Sequence, residues 1–264
     1  MIKLSACIEM LFSEVGDFYS RFAAAKQAGL DAVEFWGWDG KDLGRVKEEL
    51  AKNELTLAAC CISVKDNPLA GEFNKKKLLY RDSGEPFKAA VAESIPVAKD
   101  LGTDTLIVTV GQERNDATRY EQHTNIVLAL KAVAPLLEEA GMTLVVEPLN
   151  VLCDHRGYFL DSSYEAFGIL EEVGSPAVKL LYDVYHQQIS EGNLIPTITK
   201  YIDLIGHFHT ADVPGRNELG SGEINYVNVF KAIDALGYKK HVGMEYRSIV
   251  PSADSVKAAI AMTK

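Results

Sequence analysis

The segment GHFHTADVPGR, Gly206 to Arg216, carries two histidines two residues apart, then a polar turn and an arginine. On a strand, residues i and i+2 share a face, so His207 and His209 point the same way. His209, at the strand's end, is a candidate metal ligand. His207 sits one layer deeper and reads as a core histidine. Three other short apolar runs lead into an acid: TLVVEPLN into Glu147, VKLLYDVYH into Asp183 and HVGMEY into Glu245. Any one of these acids could be a surface residue or a helix cap. Three carboxylates and an imidazole on consecutive strands, roughly 4.8 Å apart, would repel one another without a cation. A divalent ion resolves that repulsion. Three oxygen donors with one nitrogen favour Mn2+ or Mg2+, with Co2+ as a further option, over a thiolate-type zinc site.

A fourth acid, Glu34, ends the run AVEF. It stands apart on an early strand, where it could bind a substrate hydroxyl or orient a neighbour. Trp36 and Trp38 follow it and share its parity if the strand continues. They could wall the pocket against water or pack beneath a loop.

These residues need a scaffold that brings strand ends together. Short β-rich runs alternate with longer amphipathic ones along the whole chain. The strands are expected at 3–8, 32–35, 55–62, 105–110, 143–147, 178–183, 204–210 and 241–245. Helical patterns follow at 17–28, 43–52, 87–101, 117–140, 163–173, 194–201, 227–236 and 252–262, several stopping at a glycine, the usual C-cap. About eight strand-then-helix units at this length are what a (β/α)8 barrel requires, with chemistry at the C-terminal ends of the strands. No Gly-rich fingerprint follows the first strand, which disfavours a doubly wound sheet. No Pro/Gly/Ser linker divides the chain, so the expectation is a single TIM-barrel domain over 1–264. Parity predicts that Thr143 and Val145 point inward with Glu147, while Leu144 and Val146 face helices. The stretch 63–86, SVKDNPLAGEFNKKKLLYRDSGEP, is far longer than a typical βα connection and reads as a loop, either a substrate-covering lid or a surface excursion.

The 264 residues are 47% hydrophobic and carry a formal charge of -10. So acidic a surface repels nucleic acid and anionic membranes, and an anionic substrate would need a local cation. The four cysteines, Cys7, Cys60, Cys61 and Cys153, lack zinc-finger spacing. Adjacent Cys60 and Cys61 would face opposite ways on a strand. A reduced, cytoplasmic protein is expected, because MIKLSACIEM is a poor signal peptide and no apolar run approaches membrane-spanning length.

Together, EPLN, YDVYHQQ…EGNL, HTADVPGRNELGSGEINY and GMEY resemble the hydroxypyruvate isomerase family, within the xylose isomerase-like barrels that also include the ketose 3-epimerases. The likeness spans nearly the whole chain and is strongest from Leu144 to Tyr246. NPLAG, in the long stretch, is similar to the isomerase group as well. The resemblance implies a metal bound by Glu147, Asp183, His209 and Glu245, the four residues that strand ends nominate. It implies that Glu147 and Glu245 are the paired acid/base residues and that His186 and Arg216 contact substrate. Isomerase members often have glutamine where His209 stands, whereas 3-epimerases carry that histidine. The epimerases usually have another glutamate shortly after the strand-five glutamate, a region occupied here by Cys153 and Asp154.

Arg216 could fork onto a substrate carboxylate or form a surface ion pair. His186, three residues after Asp183, could hydrogen-bond a substrate oxygen or start a solvated helix. LGSGEIN could cradle a phosphate near a helix start, although two glycines are weak evidence for it. The expected activity is metal-dependent aldose–ketose isomerisation of hydroxypyruvate or a related short sugar or sugar acid, through a metal-stabilised enediolate. A ketose 3-epimerase with the same site is the alternative. An inosose or keto-sugar dehydratase and a non-catalytic sugar-binding barrel rank lower. The expected partner is a small sugar or keto acid; relatives of this kind are often homo-oligomeric, though no patch in the sequence marks a subunit contact.

Overall fold

The computed structural model describes Met1–Lys264. In chain order the elements are β1 (Lys3–Cys7), α1 (Ser20–Gln27), β2 (Ala32–Phe35), α2 (Leu43–Lys52), β3 (Thr56–Cys61), α3 (Pro68–Lys76), α4 (Gly84–Asp100), β4 (Thr105–Val108) and α5 (Arg119–Ala140). They continue with β5 (Thr143–Val146), α6 (Ser163–Val173), β6 (Val178–Asp183), α7 (Val184–Ser190), α8 (Leu194–Tyr201), β7 (Ile205–Thr210), α9 (Tyr226–Ala235), β8 (His241–Met244) and α10 (Ser252–Met262). The eight strands close into a parallel barrel in the order β1 to β8, with β1 paired to β8. No helix is long and apolar enough to cross a membrane.

Most of the apolar burial lies between the sheet and its helices. That layer is one cluster of 72 buried residues, whereas the barrel interior holds an apolar cluster of four. The inner four are Ala59, Ile107, Val145 and Leu181, from β3 to β6. Leu144 and Val146 belong to the outer layer, as parity requires. Cys60 likewise joins the outer layer while Cys61 packs on the inner cluster, and all four cysteines are free thiols. The opposite side of the interior is polar: Ser5 of β1, Glu34 of β2 and His207 of β7 are buried and hydrogen-bonded to one another through Glu34.

Two glycines make this interior possible. Gly206 sits where the β6–β7 register shifts, and a Cβ there would stand 2.7 Å from Val145 and 2.9 Å from Lys179. At Gly243 a Cβ would run into the Glu34 carboxylate and the His209 ring. Any side chain there would displace one of them.

Two helices depart from the sequence expectation. The stretch 63–86 is not simply a loop. Asn67 caps α3, accepting from the Leu69 and Ala70 amides, with Pro68 at the first helical position, and α4 already begins at Gly84. Asn-Pro is a helix-start signal, and the following lysine run masked it. Helix α7 is only seven residues long, too short for an apolar period to show.

Candidate active site

Four side chains converge at the C-terminal mouth of the barrel, on four consecutive strands. Strands β5 and β8 end one residue before Glu147 and Glu245, yet both amides continue the ladder: Glu147 N–H donates to Val108 and Glu245 N–H to Thr210. Each carboxylate is thereby aimed as if it were on the strand. Asp183 closes β6 and caps α7, accepting from the Tyr185 and His186 amides through one oxygen. His209 lies on β7. All four are buried, and their ligand atoms lie within 4.8 Å of one another.

The polar atoms that face inward are left unmatched. Glu147 Oε1, Asp183 Oδ2 and His209 Nδ1 are buried with no hydrogen-bond partner. His209 Nδ1 stands 3.6 Å from Glu147 and 3.5 Å from Glu245, which is ion-pair rather than hydrogen-bond distance. Burial disfavours a charged His209, but the Glu245 and Glu34 carboxylates outweigh it and push the imidazole well above its usual range. For Asp183 burial wins, raising its carboxyl despite Arg216 and His209. For Glu245 burial is outweighed by His209, Arg216 and the Trp36 N–H, and its carboxyl is lowered. Buried acceptors in this number are costly unless a cation joins them. Three carboxylates and one imidazole fit a divalent ion with oxygen preference.

Around the four stand the other expected residues. Trp36 is half-exposed at the rim and donates from Nε1 to Glu245 Oε1 at 2.7 Å. Trp38 is instead buried and bonds Ser94, so it packs under the mouth. Arg216, in a left-handed backbone conformation (φ 56°), pairs with Glu245 and lies 4.0 Å from Asp183, while its Nε is buried without a partner. His186 is fully buried. Its Nδ1 faces the Asn150 side-chain amide at 2.7 Å and the Asn150 backbone N–H at 3.3 Å. With two donors on Nδ1, the ring proton belongs on Nε2, which is unpartnered and 3.5 Å from Asp183 Oδ2. Burial and Arg216 lower His186 to about 3, so the ring is a neutral donor aimed at the cluster.

Glu34 corrects an expectation. Its Oε1 accepts from Ser5 at 3.2 Å and its Oε2 meets His207 at 2.8 Å and His209 at 3.3 Å. With both oxygens occupied and the residue 1% exposed, it stands behind His209 and does not present itself to a substrate. His207 is buried as expected, but as the partner of Glu34 rather than as a bystander in the core. The LGSGEIN turn is no phosphate cradle either. The Gly220, Ile224 and Val213 amides all donate to the Asp212 carboxylate, an anion supplied by the chain itself. His123, on α5, is half-buried between Glu165 and Glu172. For Asn150 and Asp212 the sequence offers no signal beyond the last letter of EPLN and the Asp of HTAD.

The sequence model of the xylose isomerase-like TIM barrel matches residues 22–264. The chain belongs to that family. Within it, the chain is 35% identical to the hydroxypyruvate isomerase of Escherichia coli (strain K12), covering 94% of each. It is 33% identical to the 2-oxo-tetronate isomerase of Cupriavidus necator, covering 94% of the chain and 93% of that relative. Among solved structures it is similar to one titled AP endonuclease, family 2, from Brucella melitensis, with a TM-score of 0.89, 27% identity and 99% of each chain covered. The family resemblance stated from the sequence and the closed (β/α)8 barrel both stand. With curated relatives at this identity over almost the full length, the chain is an enzyme of the isomerase class acting in carbohydrate chemistry.

Proposed function

We propose that the chain is a metal-dependent isomerase of short keto acids of the hydroxypyruvate type. The observation that carries this reading is the buried cluster of Glu147, Asp183, His209 and Glu245, with three inward polar atoms left unpartnered. Those four residues would hold the ion. When bound, a Mn2+, Mg2+ or Co2+ ion would supply the positive charge that stabilises an enediolate as it develops.

The chain's own groups divide the remaining work. Glu147 makes no side-chain hydrogen bond, so with Oε1 toward the ion its Oε2 is the better placed acceptor for a carbon-bound proton. Glu245 shares its oxygens with Arg216 and Trp36 and serves as its partner on the other side of the cluster. The proton leaves the hydroxyl-bearing carbon and its electron pair enters the enediolate. Reprotonation at the former carbonyl carbon completes the isomerisation, the hydroxyl proton passing from one oxygen to the other. His186 donates from Nε2 to a substrate oxygen, and Arg216 offers its free Nε. Trp36 covers the open side. Glu34 acts through His209, by holding Nε2 so that Nδ1 faces the cluster.

His209 itself favours a second reading, ketose 3-epimerisation by the same two glutamates, since 3-epimerases carry a histidine there. Incubation in D2O with hydroxypyruvate, 2-oxo-tetronate and free ketoses, followed by NMR, separates the two. The reading expects turnover of the keto acids with solvent deuterium at the reacting carbon. Epimerised ketoses with untouched keto acids would favour the second reading. No turnover of either would sink both.

A further inference from the structure

Among the four cations that line one cavity beside the mouth, Lys77 differs from the rest. Lys75 pairs with Glu72 at 2.7 Å, Lys76 with Asp82 at 2.6 Å and Arg114 with Asp116 at 2.9 Å. Lys77 makes no ion pair, and its ammonium has no hydrogen-bond acceptor. It lies 4.6 Å above the Phe73 ring, half-buried, where loss of hydration lowers its pKa.

The backbone fixes this placement. Lys77 follows α3 with φ 49° and ψ −135°, a conformation that glycine tolerates and other residues rarely adopt. It is held there by its own N–H to Phe73 O at 2.8 Å and by Leu78 N–H to Val110 O at 3.0 Å. Its side chain passes directly over Gly111, where a Cβ would stand 2.8 Å from Lys77 Cβ. A strained backbone and a bare glycine thus present one unpaired ammonium to a cavity of about 710 Å3. Arg114, Leu149, His155 and Tyr158 also line that cavity. Its wall adjoins the cluster: Tyr158 donates to the Glu147 carbonyl at 2.9 Å, and the His155 ring is 5.2 Å from that of His186.

We infer that Lys77 is the anion anchor of this site, binding the substrate carboxylate in the cavity beside the cluster and selecting acidic over neutral substrates. Arg216 already pairs with Glu245 and lies 4.0 Å from Asp183, so Lys77 adds an unpaired positive charge for a keto acid on so acidic a protein. One ammonium, in a cavity that Glu113 and Asp116 also line, suits a monoanionic carboxylate better than a phosphate dianion. The substrate class rests on the function proposed above; the anion site does not.

Two experiments keep these apart. The first compares wild type, Lys77→Met and Lys77→Arg on hydroxypyruvate and on the neutral ketotetrose erythrulose. Lys77→Met should raise KM for hydroxypyruvate about 10- to 100-fold, as expected for a lost charge-assisted hydrogen bond. Its kcat should change little, erythrulose kinetics should not move, and Lys77→Arg should recover most of the loss. An unchanged hydroxypyruvate KM, or an equal rise for both substrates, overturns the inference. The second titrates pyruvate, which lacks the hydroxyl that isomerisation requires, into the same three proteins by NMR. Binding should weaken at least tenfold in Lys77→Met and return in Lys77→Arg. Equal pyruvate affinity in wild type and Lys77→Met contradicts the anchor even if no substrate is turned over, whereas absence of turnover with pyruvate binding intact faults only the proposed reaction.

Discussion

Two polar clusters share one imidazole. On its Nε2 side, His209 meets Glu34, which also holds His207 and Ser5. On its Nδ1 side it faces Glu147 and Glu245, with Asp183 completing the group. The first cluster is complete: neither Glu34 nor His207 has a buried polar atom without a partner. The second keeps unpartnered atoms on three of its four members. Both are buried in the same barrel, so burial alone does not distinguish a site from a structural network. What distinguishes them is polar capacity left over after the chain has satisfied itself.

The largest effect should come from the incomplete cluster. Glu147→Gln and Glu245→Gln each keep the shape of the side chain but remove its basicity. Each should lower kcat about 10²- to 10⁴-fold, while the thermal unfolding midpoint stays within a few degrees. Near wild-type turnover in either variant would break the two-glutamate scheme.

Glu34→Gln attacks the complete cluster and should act differently. Its carboxyl is held at about 2, burial being outweighed by His207 and His209, against 4.5 when unperturbed. A depressed carboxylate stabilises the fold above its unfolded value, and that contribution is lost as pH falls from about 4.5 toward 2. The variant should therefore lose about 1 to 3 kcal/mol at pH 7 and show a flatter stability profile over that acid window, read by urea unfolding. Metal affinity should fall about 10- to 100-fold through the misheld imidazole, with kcat recovered at saturating metal. A drop in kcat that no metal concentration rescues would assign Glu34 to the reaction itself.

The smallest effect belongs to the rim. Trp36→Phe removes the N–H donor to Glu245 from a half-exposed position. It should reduce kcat/KM about three- to tenfold and leave stability within about 0.5 kcal/mol. No change at all would reduce Trp36 to a cover.

Much of this was legible in the sequence because barrel parity is strict. Once Glu147 points inward, Val145 follows and Leu144 cannot. By the same parity Gly243 shares the inward face with Glu245, but the space that Glu34 and His209 jointly fill there shows only in the fold. Sequence left Glu34 between a substrate hydroxyl and a neighbour because a carboxylate's partners lie far along the chain: Ser5 is 29 residues away and His207 is 173. The anion-cradle reading of LGSGEIN failed for a similar reason, since Asp212 folds back across eight to twelve residues to take those amides. Lys77 was hidden in a run of three lysines. Only the end of α3 decides which of them turns inward.

The central claim is that Glu147, Asp183, His209 and Glu245 hold a divalent ion. Titration of chelator-treated protein with Mn2+, followed by electron paramagnetic resonance, tests it most directly. One tightly bound Mn2+ per chain is expected, competed by Mg2+ or Co2+ and lost in Asp183→Asn. A wild-type protein that binds no stoichiometric Mn2+, or an Asp183→Asn variant that binds it equally well, would contradict the account.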